Sequence, residues 1–177
     1  MTLPTELVGQ VRRRANFACE YCGLTETDAG GQLTVDHFRP RSHDGTDELA
    51  NLVYCCPRCN LHKADYWPRP PGDATLWNPR VEPAANHLLL LANGFLLGIT
   101  AIGTRTLDRL QLNREGLVAH RRRRQQLAEE ARLLATYREF TELLKETNRE
   151  QAELLLEQNG LLVRYREIVA LLRKAKQ

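Results

Sequence analysis

The sequence has no long apolar segment of the kind that enters or crosses a membrane. Near the N-terminus, Glu6, Gln10 and the three arginines 12–14 interrupt the apolar residues, so we expect no signal peptide. The longest apolar run, residues 88–92, is far shorter than the roughly 20 residues that span a bilayer. These absences predict a cytoplasmic protein that does not contact a membrane.

Cysteine is scarce, with five residues in a chain of 177. In a reducing compartment, closely spaced thiols indicate a metal site and argue against disulfides. The net charge of +3 says little about partners, but the arginines cluster at residues 12–14, at positions 39 and 41, and at residues 121–124. Such clusters are compatible with a polyanionic partner, and equally with a solvated helix face.

Residue usage divides the chain into three regions, 1–66, 67–112 and 113–177. The first holds all the cysteines. It is predicted to open with a helix that Thr2 or Thr5 caps and that has Leu7, Val8 and Val11 on one face. A strand at residues 32–35 that ends at Asp36-His37 and a second strand at residues 52–54 are also predicted. A helix from Pro57 to about residue 65 should follow, because proline suits the first helical position.

The other two regions are predicted to form an extension and a helical tail. Residues 88–91 and 95–99 flank Asn93-Gly94, which indicates a β-hairpin that is buried on both faces, and a helix over 104–112 follows. The tail should form two or three helices, with a capping box at Asn148 and a stop at Asn159-Gly160. One unbroken helix could not bury its apolar stripe, so the tail must fold back or pair with another chain. The predicted fold class is α+β, mainly helical.

Four of the five cysteines form two knuckles with two-residue spacing, Cys19/Cys22 and Cys56/Cys59. Both thiolates of such a knuckle can reach one ion, and two knuckles complete a tetrahedral zinc site. Four thiolates leave no open position for a substrate, so this zinc is predicted to be structural. Cys55 remains outside the set and is interpreted as a buried thiol at the end of a strand.

Chemically versatile residues lie between and just after these knuckles, at Asp36, His37, Asn51 and Asn60. The ordered pattern of C-x-x-C, D-H, N and C-x-x-C-N resembles the HNH endonuclease family, whose zinc-stabilised ββα-metal core it covers from residue 19 to residue 63. Residues 77–124 resemble, more loosely, the segment that follows this core in standalone bacterial HNH proteins.

The resemblance implies a role for each matching position. His37 would be the general base, and Asp36 and Asn60 would hold a catalytic divalent ion. Asn51 would tether the intervening loop and orient the base. Because an amide oxygen is a harder ligand than imidazole, Mg²⁺ or Mn²⁺ is expected at this second site. Asp36 and His37 are adjacent on a strand and should point to opposite sides, so a local twist or bulge is expected to bring them together.

Four further side chains are candidates for contacts with nucleic acid. Arg39 and Arg41 flank Pro40 directly after the predicted base, where they could contact phosphates. Lys63 lies one helical turn from Asn60 and could approach a phosphate, although a solvated lysine is an equally good reading. His62 lies two residues after Asn60 and should therefore point to a different side of the helix. It is a candidate for contact with the metal or a phosphate, and the alternatives to that role are packing and solvent exposure.

The predicted function is that of a metal-dependent endonuclease that cuts DNA and, as the resemblance implies, leaves 5′-phosphate and 3′-hydroxyl ends. A catalytically inactive, zinc-stabilised nucleic-acid-binding or assembly module is the alternative. The tail would provide a homodimer contact, a site for a protein partner, or a DNA clamp through residues 121–124, and the charge pattern does not decide among these.

Overall fold

The computed structural model describes residues 3–68 and 72–175, which form two compact units, Met1–Gln125 and Gln126–Gln177. The helices are α1 (Thr5–Arg14), α2 (Glu26–Ala29), α3 (Pro57–Lys63), α4 (Ala101–Arg109) and α5 (Glu115–Lys174). The strands are β1 (Thr34–His37), β2 (Leu52–Cys55), β3 (Leu88–Leu90) and β4 (Leu96–Gly98). The predicted α+β, mainly helical fold class is confirmed.

The core of the first unit is the antiparallel pair β1 and β2, followed directly by α3. The register runs from Thr34 opposite Cys55 to His37 opposite Leu52. All four residues of β2 are buried, which matches their continuous apolar character. Proline at the first position of α3, and a bond from the Cys59 N–H to the Cys56 sulfur, fix the start of that helix.

Hydrogen bonds among Arg12, Glu26 and Tyr54 join α1 and α2 to this sheet. Arg12 donates two bonds of 2.6 Å to the Glu26 carboxylate, and the Tyr54 hydroxyl donates to the same carboxylate. The bonds from Arg12, and then from Tyr54, lower the pKa of Glu26 from 4.5 to about 2. The Leu33 N–H in turn donates to the Tyr54 hydroxyl at 2.9 Å, so the segment before β1 is anchored to β2.

The predicted hairpin at residues 88–99 is present, with Leu88 opposite Gly98 in an antiparallel pair. Its turn contains Gly94 at φ 82°, a conformation that favours glycine. The prediction that this hairpin is buried on both faces is wrong. Leu88 is buried, but Leu89 and its cross-strand partner Leu97 are each about half exposed. Helix α4 packs against β4 and covers one face only.

The prediction of two or three tail helices is wrong, because α5 runs without a break from Glu115 to Lys174. Gly160 disfavours a helix by only about 1 kcal/mol relative to alanine, and no proline follows residue 83. The first turns of α5 belong to the first unit, where Leu117, Val118 and Arg121 are buried. No helix among the described residues is long and apolar enough to cross a membrane.

Arg121 is a structural residue of the first unit. Its guanidinium donates to the carbonyl oxygens of Gly94 and Leu112, each at 2.7 Å, and to Asn113 Oδ1 at 3.2 Å. These bonds supply donors to a carbonyl group in the turn of the hairpin and to two acceptors in the segment before α5, and they come from a buried side chain. A DNA clamp built from residues 121–124 would therefore have to omit Arg121, whereas Arg122, Arg123 and Arg124 are exposed.

Candidate zinc cluster and active site

The four knuckle cysteines converge on one buried point. Cys19 and Cys22 lie in the turn between α1 and α2, where Gly23 at φ 75° closes the turn with a 2.8 Å bond to the Cys19 carbonyl. Cys56 and Cys59 lie at the start of α3. All four sulfur atoms are within 4.8 Å of one another, and those of Cys22 and Cys56 are 3.8 Å apart.

This spacing fits zinc. A tetrahedron with Zn–S bonds of about 2.3 Å places its sulfur atoms about 3.8 Å apart. The four cysteines are therefore positioned to hold a zinc ion. Cys55 lies outside the cluster, at the end of β2, with its sulfur 3.8 Å from the Thr34 hydroxyl. Burial raises the pKa of the Cys55 thiol, which favours the protonated form that does not bind metal.

Arg114 contacts the cluster from outside the knuckles. Its guanidinium lies 3.7 Å from the sulfur atoms of both Cys56 and Cys59, and it also donates to the carbonyl of Leu110 at 3.1 Å. A zinc ion with four thiolates carries a net charge of −2, so a partly buried cation beside two of the sulfurs offsets part of that charge.

His37 and Asp36 lie on opposite faces of β1. The strand pairs with β2 residue by residue, so the local bulge predicted to bring the two side chains together is not present. The His37 Nε2 atom lies 2.7 Å from Asp47 Oδ1. Asp47 also accepts bonds from the Arg41 guanidinium at 2.7 Å on each carboxylate oxygen. These bonds, from Arg41 first and then from His37, lower the pKa of Asp47.

Asp36 faces α3, where its Oδ2 atom lies 2.9 Å from Lys63 Nζ. The same ammonium donates to the His37 carbonyl at 2.7 Å. Lys63 is completely buried, so the phosphate contact predicted for it would require this ion pair to open. The lysine instead joins the end of α3 to the end of β1.

Asn60 lies one turn before Lys63 on α3, and residues three apart share a helix face. The half-buried Asn60 is therefore on the side of α3 from which Lys63 reaches Asp36. His62 is also half-buried, and its position two residues after Asn60 turns it by about 200° around the helix. Helix spacing therefore puts Asn60 on the side of α3 that faces Asp36 and puts His62 on a different side.

Asn51 ties together the loop that connects β1 to β2. Its Oδ1 atom accepts from the Arg39 N–H at 2.8 Å, and its amide donates to the carbonyls of Arg39 and Thr46 at 3.1 and 2.8 Å. Gly45 lies against the same segment, and a Cβ atom there would stand 1.8 Å from the Arg39 carbonyl oxygen. The loop that presents Asp47 to His37 is therefore held by the hydrogen bonds of the Asn51 side chain and by close packing of the Gly45 backbone against that of Arg39.

The side chains of Arg39 and Arg41 are both exposed on this loop. Arg39 lies over the Trp67 ring, with its guanidinium carbon 5.4 Å from the ring centroid, and its terminal nitrogen is 3.6 Å from Asp44. Arg41 is paired with Asp47. Both arginines are thus exposed in the loop that follows His37. Their predicted contacts with phosphates stay a prediction.

The family model of HNH endonucleases matches residues 19–65. This segment is thus similar to an HNH endonuclease domain. The match begins at the first zinc-knuckle cysteine and ends two residues after Lys63, so it contains the whole β1–β2–α3 core. No curated protein and no solved structure matches the chain. The resemblance of residues 77–124 to standalone bacterial HNH proteins lies outside the matched segment and stays a prediction.

Two residues of this matched segment and its surroundings were not predicted from the sequence. Asp47 follows His37 by ten residues, and nothing in the sequence distinguishes it from Asp44 or Glu48, which share its loop. Arg114 follows Cys59 by 55 residues and lies outside the matched segment. The Leu-Asn-Arg sequence at residues 112–114 was part of the looser resemblance, but no role could be assigned to it.

Replacing Arg114 with alanine is expected to lower zinc affinity by about tenfold to a hundredfold, the usual range for outer partners of metal ligands. The loss should arise because two buried thiolates lose a cationic hydrogen-bond donor. Competition with a chromophoric chelator would measure it. Arg123→Ala, which removes an exposed arginine, is the matched control, and equal affinities in the two variants would contradict the role of Arg114.

Replacing Lys63 with methionine is expected to destabilise the first unit by about 3–5 kcal/mol, because it leaves the Asp36 carboxylate largely buried without its cation. Urea unfolding followed by tryptophan fluorescence would measure the change, since both tryptophans lie in this unit. Arg58→Met changes an exposed residue of the same helix and should cost little. Adding Asp36→Asn to Lys63→Met should recover part of the loss, and a loss below about 1 kcal/mol in Lys63→Met would contradict this account.

Proposed function

We propose that the protein is a metal-dependent endonuclease that hydrolyses phosphodiester bonds of DNA, with His37 as general base. The observation that carries this proposal is the bond between the His37 ring and Asp47 within a segment that matches the HNH endonucleases. A carboxylate can only accept a hydrogen bond, and the lowered pKa of Asp47 keeps it ionised near neutral pH.

The pairing with Asp47 selects a tautomer of His37. The ring nitrogen that faces the carboxylate, Nε2, must carry the proton, so the lone pair is on Nδ1. This nitrogen would accept the proton of the water molecule that attacks the phosphorus atom. Proton transfer to a positioned histidine commonly contributes about 10²- to 10⁴-fold to a rate.

Asp36 and Asn60 would hold the catalytic ion. This requires the ion pair of Asp36 with Lys63 to open and the end of β1 to twist so that Asp36 and His37 face one phosphate. Asp36 and Asn60 offer a carboxylate oxygen and an amide oxygen, the ligands that Mg²⁺ and Mn²⁺ prefer. The proposal is supported by the position of Asn60 one helical turn before Lys63, whose ammonium lies 2.9 Å from Asp36. The bound ion would stabilise negative charge on the phosphate and on the leaving 3′-oxygen. Arg39 and Arg41, exposed on the loop beside His37, would contact neighbouring phosphates, with His62 as a further candidate.

Supercoiled plasmid incubated with the zinc-loaded protein and a panel of divalent ions tests the proposal. We expect nicked or linear DNA with Mg²⁺ or Mn²⁺ and intact plasmid with EDTA added after zinc loading, over a time in which zinc stays bound. The cut ends should carry 5′-phosphates that a ligase can join. DNA binding without cleavage by any ion would contradict the proposal and favour the inactive nucleic-acid-binding module.

Asp47 should act on His37 as a positioning residue. Replacing it with alanine is expected to lower kcat by about tenfold or more, because the ring loses the partner that fixes its tautomer and orientation, while KM for DNA should not rise. Glu48→Ala, at a neighbouring exposed carboxylate, is the control. A higher KM with unchanged kcat in Asp47→Ala would indicate that Asp47 serves only DNA binding.

A further inference from the structure

The second unit exposes a continuous apolar seam along α5. From Leu133 to Leu172, positions spaced alternately by four and three residues follow one stripe, and nine of these twelve positions are apolar. Each of the nine is about half exposed. The nine are Leu133, Tyr137, Phe140, Leu144, Leu154, Leu161, Tyr165, Ile168 and Leu172, and the other three are Thr147, Gln151 and Gln158.

The mean spacing of this seam is 3.5 residues, the repeat of a left-handed coiled coil and not of an isolated straight helix. An apolar stripe maintained in this register over nearly six heptads indicates a helical partner of similar length. Residues on the far side of the same helix are polar or charged apart from a few such as Leu156. We propose that this seam pairs with the same seam of a second copy of the chain, in antiparallel orientation.

The distribution of charge supports the antiparallel orientation. Residues 126–157 carry eight acidic and four basic side chains, whereas residues 158–174 carry one acidic and four basic side chains. A parallel pair would place the two acidic segments side by side, and the two basic segments likewise. With Leu133 opposite Leu172, an antiparallel pair places residues 126–147, which carry five acidic and three basic side chains, near the basic segment 158–174 of the second copy. This arrangement is favourable at the ionic strength of a cell where the charges lie within about 8 Å. Only residues 148–157, with three acidic and one basic side chain, then face the same residues of the second copy.

The order of the side chains also fits this orientation. With Leu133 opposite Leu172 of the second copy, Tyr137 meets Ile168, Phe140 meets Tyr165 and Leu144 meets Leu161. Near the middle, Thr147 then meets Gln158, and Gln151 meets the apolar Leu154. Twofold symmetry repeats each of these layers once, so apolar layers occupy both ends and polar residues in the centre fix the register.

The buried area is sufficient for a stable pair. If each of the nine apolar side chains loses about 100 Å² of exposed surface, the two copies together bury on the order of 1,800 Å², within the range of specific protein interfaces. The seam thus offers a self-complementary surface of adequate size, and this inference does not depend on the proposed nuclease activity.

The mass of the full, zinc-loaded chain in solution tests the pairing. Sedimentation equilibrium should give at least twice the 20.3 kDa of one chain. Leu161→Glu puts two carboxylates into the seam and should raise the dissociation constant at least about a hundredfold. Leu156→Glu makes the same change at an exposed position off the seam and should leave it unchanged. A monomeric wild type at the highest attainable concentration would overturn the proposal, as would equal effects of the two variants.

Disulfide formation tests the orientation. Leu133→Cys and Leu172→Cys proteins should each remain uncrosslinked alone under mild oxidation, but should form a covalent dimer when mixed, since residue 133 would meet only residue 172 of the other copy. Crosslinking of either variant with itself would indicate a parallel pair and would overturn the antiparallel arrangement. The zinc content of each protein reports that the first unit is folded, and bound zinc protects the native thiolates.

Discussion

His37→Ala is expected to reduce DNA cleavage by about 10²- to 10⁴-fold, while zinc content and the folded state stay unchanged. The side chain is the only part of His37 that the substitution removes, because the strand pairing with Leu52 uses the backbone. The ring is only 14% exposed and is bonded to Asp47, so its loss removes some packing, but none of the four zinc-binding cysteines is changed. What disappears is the nitrogen that would accept a proton from water.

Single-turnover cleavage of a short labelled duplex, with Mg²⁺ or Mn²⁺ present, would measure this loss. His43→Ala is the matched control, because it removes an imidazole from the loop that follows β1 and should retain most of the activity. A parallel purification from cells without the expressed protein excludes contaminating nuclease. Wild-type cleavage by His37→Ala would falsify the assignment of the base, although not the zinc cluster.

Cys59→Ala is expected to abolish zinc binding and to unfold the core of the first unit. Cys59 is fully buried and is one of the four thiolates that meet within 4.8 Å. Structural zinc contributes apparent binding free energies of about 10–16 kcal/mol in zinc-finger peptides, comparable with or greater than the entire stability of a small domain. The sheet of this core has only two short strands, which cannot by themselves replace that contribution.

Zinc per chain, measured by inductively coupled plasma mass spectrometry, and hydrogen exchange of residues 3–66 would report the two losses. Circular dichroism alone is unsuitable, because α5 would dominate the helical signal. Cys55→Ala makes the same change at a buried cysteine outside the cluster and should retain one zinc ion. If Cys59→Ala kept its zinc and its exchange protection, the cluster would not be the structural centre of this fold.

The parts of the site that could be predicted from the sequence are those in which local spacing determines geometry. Two residues between cysteines suffice to predict a knuckle, and Pro57 marks the start of α3 because its fixed φ suits the first helical position. The Asn93-Gly94 turn was predictable for the same reason, since it requires a positive φ that glycine adopts readily. In each case, a few neighbouring residues contain all the information needed.

The features that were missed depend on contacts between distant segments. Arg114 reaches the cysteine sulfurs from a turn far along the chain, and Lys63 is buried only because Asp36 lies opposite it. Neither contact leaves a periodic signal in the sequence. Asp47 could not be told from its acidic neighbours, because the choice among them depends on the loop conformation that Asn51 and Gly45 impose.

The errors in the hairpin and the tail have a common origin. Apolar runs at residues 88–99 indicated burial on both faces, and the stripe of α5 indicated a tail that either folds back or pairs with another chain, yet both surfaces are exposed within a single chain. Periodicity shows that a face needs a partner, but it does not show whether that partner belongs to the same molecule. The seam from Leu133 to Leu172 is therefore informative about association, whereas the helix ends predicted at Asn148 and at Asn159-Gly160 are absent.

The seven residues of α3 serve two centres in succession, since Cys59 faces the thiolate cluster and Asn60 and Lys63 face Asp36. Adding one residue between positions 59 and 60 would turn everything beyond it by about 100°, without changing any ligand's identity. The number of residues in this helix is therefore as strictly constrained as the identities of the side chains that serve the two centres, and a one-residue insertion should disrupt the second centre while leaving every cysteine ligand in the chain.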